Sequence, residues 1–375
     1  MKLFEFLRKF TFSAAIASLI VTTPALACTG ITLRGDDGTL VFARTLEWGT
    51  FDLVPEFAVV PRGTEFSSLP MPDGGNGAAW TTRYGVAGII GAGKFIFADV
   101  MNEEGLSVHT FYLPGYTTYQ DYDPAQADVS LAPTDVAGYL AMNFASVDEV
   151  RAGLPEMRVV NVIEEVIGIV APVHYIARDA DGDAVVIQYI DGELTFFDAP
   201  LGVITNSPNY DWHITNLNNY LNLSAVALSP IKLEGLSFSP LGAGSGMIGL
   251  PGDFTPPSRF VRAVAFSQTA RQTMGGFDTV REAFRILDNF NVPIGAAEGS
   301  SSADEAADLI YSATQWTMAS DLTNRVIYFH TQWNRNVRAV ELDSIDFTDT
   351  SAGISRVSLD ANREPAIEQF DPFAQ

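Results

Sequence analysis

The sequence predicts an α+β fold in which antiparallel sheets hold most of the 375 residues. Residues 28–112 contain runs of alternating apolar residues separated by turn residues, a pattern typical of strands. Helical periodicity is confined to the middle of the chain, and strand patterns return after residue 315. Helices grouped between two sets of strands indicate an α+β protein and not a regular βαβ alternation. Because no Pro/Ser-rich linker or repeat interrupts residues 28–375, we predict one domain there.

The first predicted strands form a hairpin. The alternation of residues 28–34 predicts a strand, Asp36-Asp37-Gly38 supplies turn residues, and residues 39–48 are predicted as the return strand. This hairpin brings Arg44 and Glu47 to the end of the sheet where Cys28 lies. Further strands are predicted at 57–61, 85–90, 95–101 and 106–112.

The middle and last thirds of the chain supply the other elements. Strands at 174–178 and 184–190 flank the acidic run 179–183. Its glycine has the wrong offset for an EF-hand and no bidentate glutamate follows, so we predict a hairpin turn and not a calcium loop. The remaining predictions are helices at 133–144, 147–152, 211–221, 259–269 and 279–289, and strands at 315–320, 326–331 and 337–342.

The first 27 residues have the pattern of a secretory signal peptide. A basic start precedes an apolar stretch at 10–21, and Ala25 and Ala27 are the small residues that a signal peptidase reads. The stretch is too short to span a bilayer. We therefore expect export to the periplasm or the exterior, a mature chain that begins at Cys28, and no stable membrane insertion.

The composition sets the class of protein and excludes some partners. Hydrophobic residues make up 47% of the chain and charged residues 18%, which is enough apolar material for a large core. The formal net charge of -23 repels phosphate backbones, so we expect no nucleic-acid partner.

Cys28 is the single cysteine of the chain, although exported proteins normally use cysteines in pairs. Three interpretations are open: a buried structural residue, a lipid-attachment site, or an N-terminal nucleophile. Lipid attachment generally needs a large aliphatic residue three places earlier, where this chain has Ala25. An α-amine titrates at about 7.7–8.0 and a thiol at about 8.5, so the freed amine of Cys28 can serve as its base. We favour the nucleophile.

Other motifs give weaker signals. The run 242–246 lacks the Lys-Ser/Thr of a phosphate loop, and Ser245 is not placed as in a nucleophile elbow. The four histidines show no i, i+4 zinc spacing. We interpret them as structural, with His213 a candidate neighbour of the pocket. No metal or organic cofactor is predicted.

Several motifs occur along the chain: Cys28-Thr29-Gly30, residues 44–48, residues 101–106, Thr205-Asn206-Ser207-Pro208 with 211–213, and residues 250–256 with Ser258-Arg259-Phe260. Together these motifs resemble the choloylglycine hydrolase family, which contains bile salt hydrolases and penicillin V acylases. Acylases of N-acyl homoserine lactones resemble that family. The resemblance implies a four-layer αββα N-terminal-nucleophile fold with two stacked antiparallel sheets, usually a homotetramer, acting on a small N-acyl amide.

The same resemblance implies roles for single residues. Cys28 would attack the amide carbonyl, while Asn206 and the main chain near Tyr112 would form the oxyanion hole. Arg44 and Arg259 would hold the thiolate. Glu47 replaces the aspartate of the better-known bile salt hydrolases, and its carboxylate would orient the Cys28 ammonium.

Aromatic residues near these motifs suggest a flat apolar acyl pocket that suits phenoxyacetyl or fatty acyl groups. These residues are Trp48, Phe51, Trp80, Phe111 and Tyr112. The leader and Glu47-Trp48 favour penicillin V acylase or N-acyl homoserine lactone acylase. Conjugated bile salt hydrolysis, acyl transfer by the same residues and a lipid-anchored, non-catalytic binding protein remain alternatives.

Overall fold

The computed structural model describes residues 28–297, 310–351, 353–364 and 372. The predicted signal peptide lies outside these residues. The strands are β1 (Thr29–Arg34), β2 (Leu40–Thr50), β3 (Glu56–Val60), β4 (Glu65–Ser67), β5 (Ala79–Thr81), β6 (Val86–Gly91), β7 (Ile96–Asn102), β8 (Ser107–Tyr112), β9 (Ser130–Leu131), β10 (Arg158–Val159), β11 (Ile163–Glu164), β12 (Ile169–Val170), β13 (Val173–Arg178), β14 (Ala184–Ile190), β15 (Glu193–Asp198), β16 (Ile231–Leu233), β17 (Leu236–Phe238), β18 (Ile310–Asp321), β19 (Val326–Thr331), β20 (Arg338–Glu341) and β21 (Ser355–Ser358). The α-helices are α1 (Val136–Asn143), α2 (Val147–Gly153), α3 (Tyr210–Asn216), α4 (Pro256–Gln268) and α5 (Gly276–Leu287).

Two antiparallel sheets form the centre of the fold. One has the strand order β1-β2-β18-β19-β20, and the other has the order β15-β14-β13-β8-β7-β6-β3-β21. One apolar cluster contains residues of both sheets, with Phe42 and Met318 from the first and Phe111 and Ile176 from the second. The sheets are therefore stacked face to face, with their alternate apolar side chains in the shared core.

Helices cover the outer face of each sheet. Helices α4 and α5 pack on β1 and β2 of the first sheet, whereas α1 packs on β7 and β8 of the second and places Leu140 in a separate apolar cluster. The layers are thus helix, sheet, sheet, helix. This arrangement confirms the predicted αββα architecture.

The predicted hairpins are confirmed with small shifts at strand ends. Arg178 pairs with Ala184 across the acidic turn. Asp179 Oδ1 in that turn accepts the backbone N–H groups of Gly182 and Asp183 at 3.2 and 3.1 Å, which is hairpin chemistry. Within the described ranges, no group of three or more His, Cys, Asp or Glu residues is placed to hold a metal ion.

Other elements differ from the prediction. Helix α4 begins at Pro256, because proline suits the first turn of a helix. Strand β18 begins five residues before the predicted position 315. Several strands were missed, among them β15, which follows β14 through a tight turn at Asp191-Gly192 where both residues have positive φ.

Candidate active site

Cys28 directly precedes β1 and is only 4% exposed. The register of the first hairpin pairs Gly30 with Arg44, which places the start of β1 beside the motif residues of β2. A bridge from Gly30 to Ile204 brings the segment that ends at Asn206 to the other side of Cys28. Three separate segments of the chain therefore meet at this cysteine.

Gly30 permits this close approach. A Cβ atom at this position would lie 2.7 Å from Phe42 Cζ, 2.8 Å from Ile204 Cγ2 and 3.0 Å from Phe111 Cζ. These distances are too short for carbon atoms, so a larger residue would push the segments apart. The third position of the Cys-Thr-Gly motif is therefore glycine because the packing around it leaves no room for a Cβ atom.

Asn206 and Arg259 hold the backbone of Cys28. The Cys28 nitrogen donates to Asn206 Oδ1 at 3.0 Å, and Arg259 Nη2 donates to the same oxygen at 2.7 Å. Arg259 Nη1 donates to Thr29 Oγ1 at 2.9 Å and to the Cys28 carbonyl oxygen. Since an arginine only donates, these bonds fix Asn206 with Oδ1 towards Cys28.

The amide group of Asn206 faces Tyr112. Asn206 Nδ2 donates one hydrogen to the Tyr112 carbonyl at 2.7 Å, which leaves its second hydrogen for another acceptor. Leu113 N donates to Pro172 O, so Tyr112 and Val173 form a non-hydrogen-bonded pair of the ladder. The Tyr112 N–H therefore points away from β13. It lies on the same side as the Tyr112 carbonyl that Asn206 contacts.

A buried ion pair holds Arg44. Its Nη1 lies 3.2 Å from Asp99 Oδ1, and neither side chain is exposed. Asp99 Oδ1 also lies 2.9 Å from His109 Nδ1, and its Oδ2 accepts from Trp316 Nε1 at 2.9 Å. The Arg44 guanidinium stacks 4.2 Å from the centre of the Phe111 ring. Arg44 is thus fixed between the two sheets by a carboxylate 55 residues away in sequence.

Glu47 is wholly buried and lines the same cavity as Cys28. The backbone N–H of Glu47 is among the groups that lower the pKa of the Cys28 thiol. The carboxylate accepts from Thr314 Oγ1 at 2.6 Å, and its other oxygen has no hydrogen-bond partner among the described residues. Burial raises the pKa of Glu47 to about 7. Asn206 Oδ1 accepts from the Cys28 nitrogen, and the role of the Glu47 carboxylate towards a free Cys28 ammonium stays a prediction.

Neither arginine hydrogen-bonds the thiol in the part of the chain that the structure describes. Their effect on it is electrostatic. Burial raises the pKa of the Cys28 thiol, and the positive charges of Arg44 and Arg259 act in the opposite direction. Arg44 and Arg259 thus favour the thiolate without touching the sulfur.

Two histidines support the Asn206 segment. His213 Nε2 lies 2.8 Å from the Asn206 carbonyl oxygen, and His174 Nε2 lies 3.0 Å from that of Thr205. Burial lowers the pKa of His213 to about 4 and of His174 to about 3, so both rings are neutral near pH 7. A neutral ring donates through Nε2 to a carbonyl, which is the structural role expected of these histidines.

An apolar cavity adjoins Cys28 and has about 780 Å³ of empty space, counting its open mouth. This is the size of a small-molecule pocket. Trp48, Phe51 and Phe111 of the predicted substrate residues line it, as does Tyr112. Residues that the sequence did not indicate complete much of the wall: Leu46, Leu53, Ile96, Phe97, Val166, Ile167, Ala171, Val173 and Trp316.

Trp80 is not among the residues that line this cavity. It lies on β5 and stacks on Phe66 of β4, with its indole edge against Tyr139 of α1. Its Nε1 donates to Met142 Sδ at 3.3 Å. The β4–β5 hairpin packs on the outer helical layer, so the predicted substrate role of Trp80 is corrected to core packing.

Gln315 shapes the cavity wall, although sequence reasoning missed it. The pairing of β18 with β2 is irregular around this residue. Its side-chain oxygen accepts the Leu53 N–H at 2.9 Å, and its nitrogen donates to the Phe51 carbonyl at 3.0 Å and the Trp48 carbonyl at 3.3 Å. One amide group therefore holds the loop that carries three wall residues. A glutamine in a strand gives no sequence signal for such a role.

A family model described as "Linear amide C-N hydrolases, choloylglycine hydrolase family" matches residues 28–355. The chain belongs to this family. The bile salt hydrolase/transferase of Clostridium perfringens is 32% identical over 321 residues, which cover 84% of this chain and 92% of that protein. The penicillin V acylase of Pectobacterium atrosepticum is 25% identical over 345 residues, covering 86% and 82% of the two chains.

Solved structures of choloylglycine hydrolases show the same fold. A mutant conjugated bile acid hydrolase from Clostridium perfringens superposes with a TM-score of 0.75 at 27% identity, covering 92% of this chain and all of that one. Penicillin V acylase from Agrobacterium tumefaciens gives a TM-score of 0.69 at 25% identity, with 90% and 93% coverage. This chain is therefore a linear amide C–N hydrolase with an N-terminal-nucleophile fold. Among these relatives, the bile salt hydrolase is more similar than the penicillin V acylase, which runs against the preference inferred from the leader and Glu47-Trp48.

Proposed function

We propose that this chain is an exported N-acyl amide hydrolase whose nucleophile is Cys28, made N-terminal by removal of residues 1–27. One observation carries the proposal: Cys28 lines the apolar cavity while Asn206 holds its backbone nitrogen. An amine at that nitrogen would keep the hydrogen bond to Asn206 and have a lone pair for the thiol proton. A lipid on Cys28 would have to fit the buried space around that nitrogen, which disfavours the lipid-anchored alternative.

The proposed reaction uses the groups around Cys28 in order. The thiol passes its proton to the α-amine, and the thiolate forms a bond to the amide carbon. The negative oxygen of the intermediate receives hydrogen bonds from the Tyr112 N–H and the second Nδ2 hydrogen of Asn206. The C–N bond then breaks, the leaving amine takes the proton from the α-ammonium, and an acyl thioester remains. Water, deprotonated by the α-amine, releases the carboxylic acid.

Arg259 and Arg44 support this reaction from different sides. Arg259 fixes the Cys28 carbonyl and Asn206, so the thiol and the oxyanion donors keep the same distance and orientation relative to each other. Arg44, held by Asp99, supplies a buried positive charge that favours the thiolate.

The substrate contains a large apolar acyl group. The cavity beside Cys28 is lined almost wholly by apolar and aromatic side chains, which suits an acyl group and leaves the amine portion towards the mouth. The aromatic wall of Trp48, Phe51 and Phe111 suits phenoxyacetyl and fatty acyl groups. The higher identity to a bile salt hydrolase makes conjugated bile salts the second candidate.

Self-association into a homotetramer belongs to the same proposal. The β16–β17 hairpin exposes Ile231, Leu233, Leu236 and Phe238, each at least half exposed. Contiguous exposed apolar side chains mark a protein-interaction surface. Location in the periplasm or outside the cell rests on the leader sequence alone. No helix among the described residues is long and apolar enough to cross a membrane.

The test compares amide hydrolysis by protein that begins at Cys28 with the Cys28→Ala variant. Penicillin V, a series of N-acyl homoserine lactones, and glycine- and taurine-conjugated bile salts are supplied separately. Product analysis by mass spectrometry in the presence of added amines separates hydrolysis from acyl transfer. We expect cysteine-dependent release of the free acid from at least one class. Equal turnover by Cys28→Ala, or no turnover of any class, would overturn the proposal.

A further inference from the structure

A second cavity lies at the opposite end of β1 from Cys28. It has about 860 Å³ of empty space, counting its mouth, and polar atoms form most of its lining. Arg34, the last residue of β1, lies six residues after Cys28, which is roughly 20 Å along an extended strand. The cavity is therefore separate from the catalytic cavity. Its wall contains Thr32, Arg34, Arg178, Gly182, residues 200–201, residues 267–268 and residues 270–273.

Arg178 brings a buried positive charge to this cavity. The residue is 4% exposed. Its Nη1 donates to Thr32 Oγ1 at 2.8 Å and its Nη2 to the Gly182 carbonyl at 3.3 Å, while Nε has no partner among the described residues. No carboxylate of the described chain lies within 4.0 Å of its guanidinium nitrogens. A buried charge without a counter-charge is costly, so this arginine needs an anion.

Arg34 faces the same cavity and is also without an ion pair in the part of the chain that the structure describes. Its guanidinium lies against Gly182, where a Cβ atom would clash with Nη2. Gly182 has a φ of 104°, a conformation that favours glycine, and because glycine has no Cβ atom the space beside the Arg34 guanidinium stays free. The charge of Arg34 is one of the causes that lower the pKa of Arg178, after burial. Two like charges thus converge on one polar cavity.

The nearby acidic groups are already engaged. Asp179 accepts backbone N–H groups from Gly182 and Asp183 through Oδ1, and from Val147 through Oδ2 at 2.9 Å. The cavity's third arginine, Arg271, has its own ion pairs to two acidic residues of α5. Asp179 and Asp183 reduce the local positive charge from a distance, but neither contacts the guanidinium groups of Arg34 or Arg178.

We propose that this cavity binds a small oxyanion, a phosphate or a carboxylate, between Arg34 and Arg178. The planar guanidinium fork matches both groups, and three donors of Arg178 and all five of Arg34 are uncommitted within the described structure. The net charge of -23 repels anions in general, so binding here depends on this local pair and not on the whole-protein field. The site does not depend on the proposed amidase reaction.

The test measures binding of inorganic phosphate and of succinate by isothermal titration calorimetry, at constant ionic strength set with NaCl. We expect saturable binding of one anion per chain and a rise in the thermal midpoint on its addition. Whichever anion binds more tightly identifies the ligand as a phosphate or a carboxylate.

Arg34→Met and Arg178→Met should each weaken binding at least tenfold. Arg335→Met is the matched control, because it removes one exposed positive charge that does not line the cavity and should leave binding unchanged. Arg34 is exposed, so its substitution keeps the test valid if Arg178→Met fails to fold. The proposal is overturned by the absence of saturable binding, by unchanged binding in Arg34→Met, or by equal weakening in Arg335→Met.

Discussion

Replacing Asp99 with asparagine should destabilise the protein strongly. Asp99 accepts from Arg44, His109 and Trp316, and the Arg44 and Asp99 side chains are wholly buried. Removing one charge of a buried ion pair leaves the other uncompensated and costs about 3–5 kcal/mol of unfolding free energy. Asparagine keeps the size of the side chain, so the loss reports charge and hydrogen bonding and not a cavity.

Urea unfolding at equal protein concentration measures this loss. The matched control is Asp343→Asn, which removes the same charge from an ion pair with Arg325 in which the Asp343 side chain is 62% exposed. Exposed pairs contribute about 0–1 kcal/mol, so the control should shift the unfolding midpoint little. Asp99→Asn should also lower kcat, because Arg44 loses the group that fixes its charge near Cys28. A loss in Asp99→Asn no greater than that in Asp343→Asn would refute the structural role assigned to Asp99.

Three further predictions concern single residues of the site. Burial raises the pKa of Glu47 from its ordinary value to about 7, so its stabilising contribution is present at pH 4.5 and is lost as the pH rises through 7. Glu47→Gln should remove this loss. Measured by urea unfolding, the unfolding free energy of the variant should therefore rise by about 3 kcal/mol relative to that of the unsubstituted protein between pH 4.5 and pH 8. An equal pH dependence of stability in both proteins would contradict this prediction. Gly30→Ala should cost about 1–3 kcal/mol and lower kcat, because its Cβ meets three side chains, whereas Gly252→Ala, with nothing within 4 Å, should be nearly neutral in both measurements. Trp48→Ala should change the preference among acyl groups, measured as ratios of kcat/KM, while Trp80→Ala should leave those ratios unchanged; a shift in Trp80→Ala alone would place the acyl pocket elsewhere.

Local patterns explain why much of the fold was predictable. The hairpin of residues 28–48 follows from alternation and an Asp-Asp-Gly turn, and both signals lie within this one short segment. The register of that hairpin then places Arg44 beside Gly30. The strand β15 could have been predicted too, since Asp191-Gly192 is a common hairpin turn.

Contacts between distant segments could not be predicted from such patterns. Asp99 lies under Arg44 because two sheets stack, and nothing in residues 95–101 indicates which face of which sheet will cover them. Trp80 shows the opposite error: it is near the motifs in sequence, but its hairpin packs on the outer helical layer. The hydrogen-bond partner of the Glu47 carboxylate could not be predicted either, because that partner, Thr314, lies 267 residues away in sequence.

The central claim is that the thiol and free amine of Cys28 together cleave an N-acyl amide. The most direct measurement compares kcat/KM for three proteins on one amide substrate: a chain that begins at Cys28, the same chain with Cys28→Ala, and a chain with one extra glycine before Cys28. We predict turnover by the first protein only, because the second lacks the nucleophile and the third has a peptide nitrogen where the base must be. Undiminished turnover by either altered protein would contradict the mechanism.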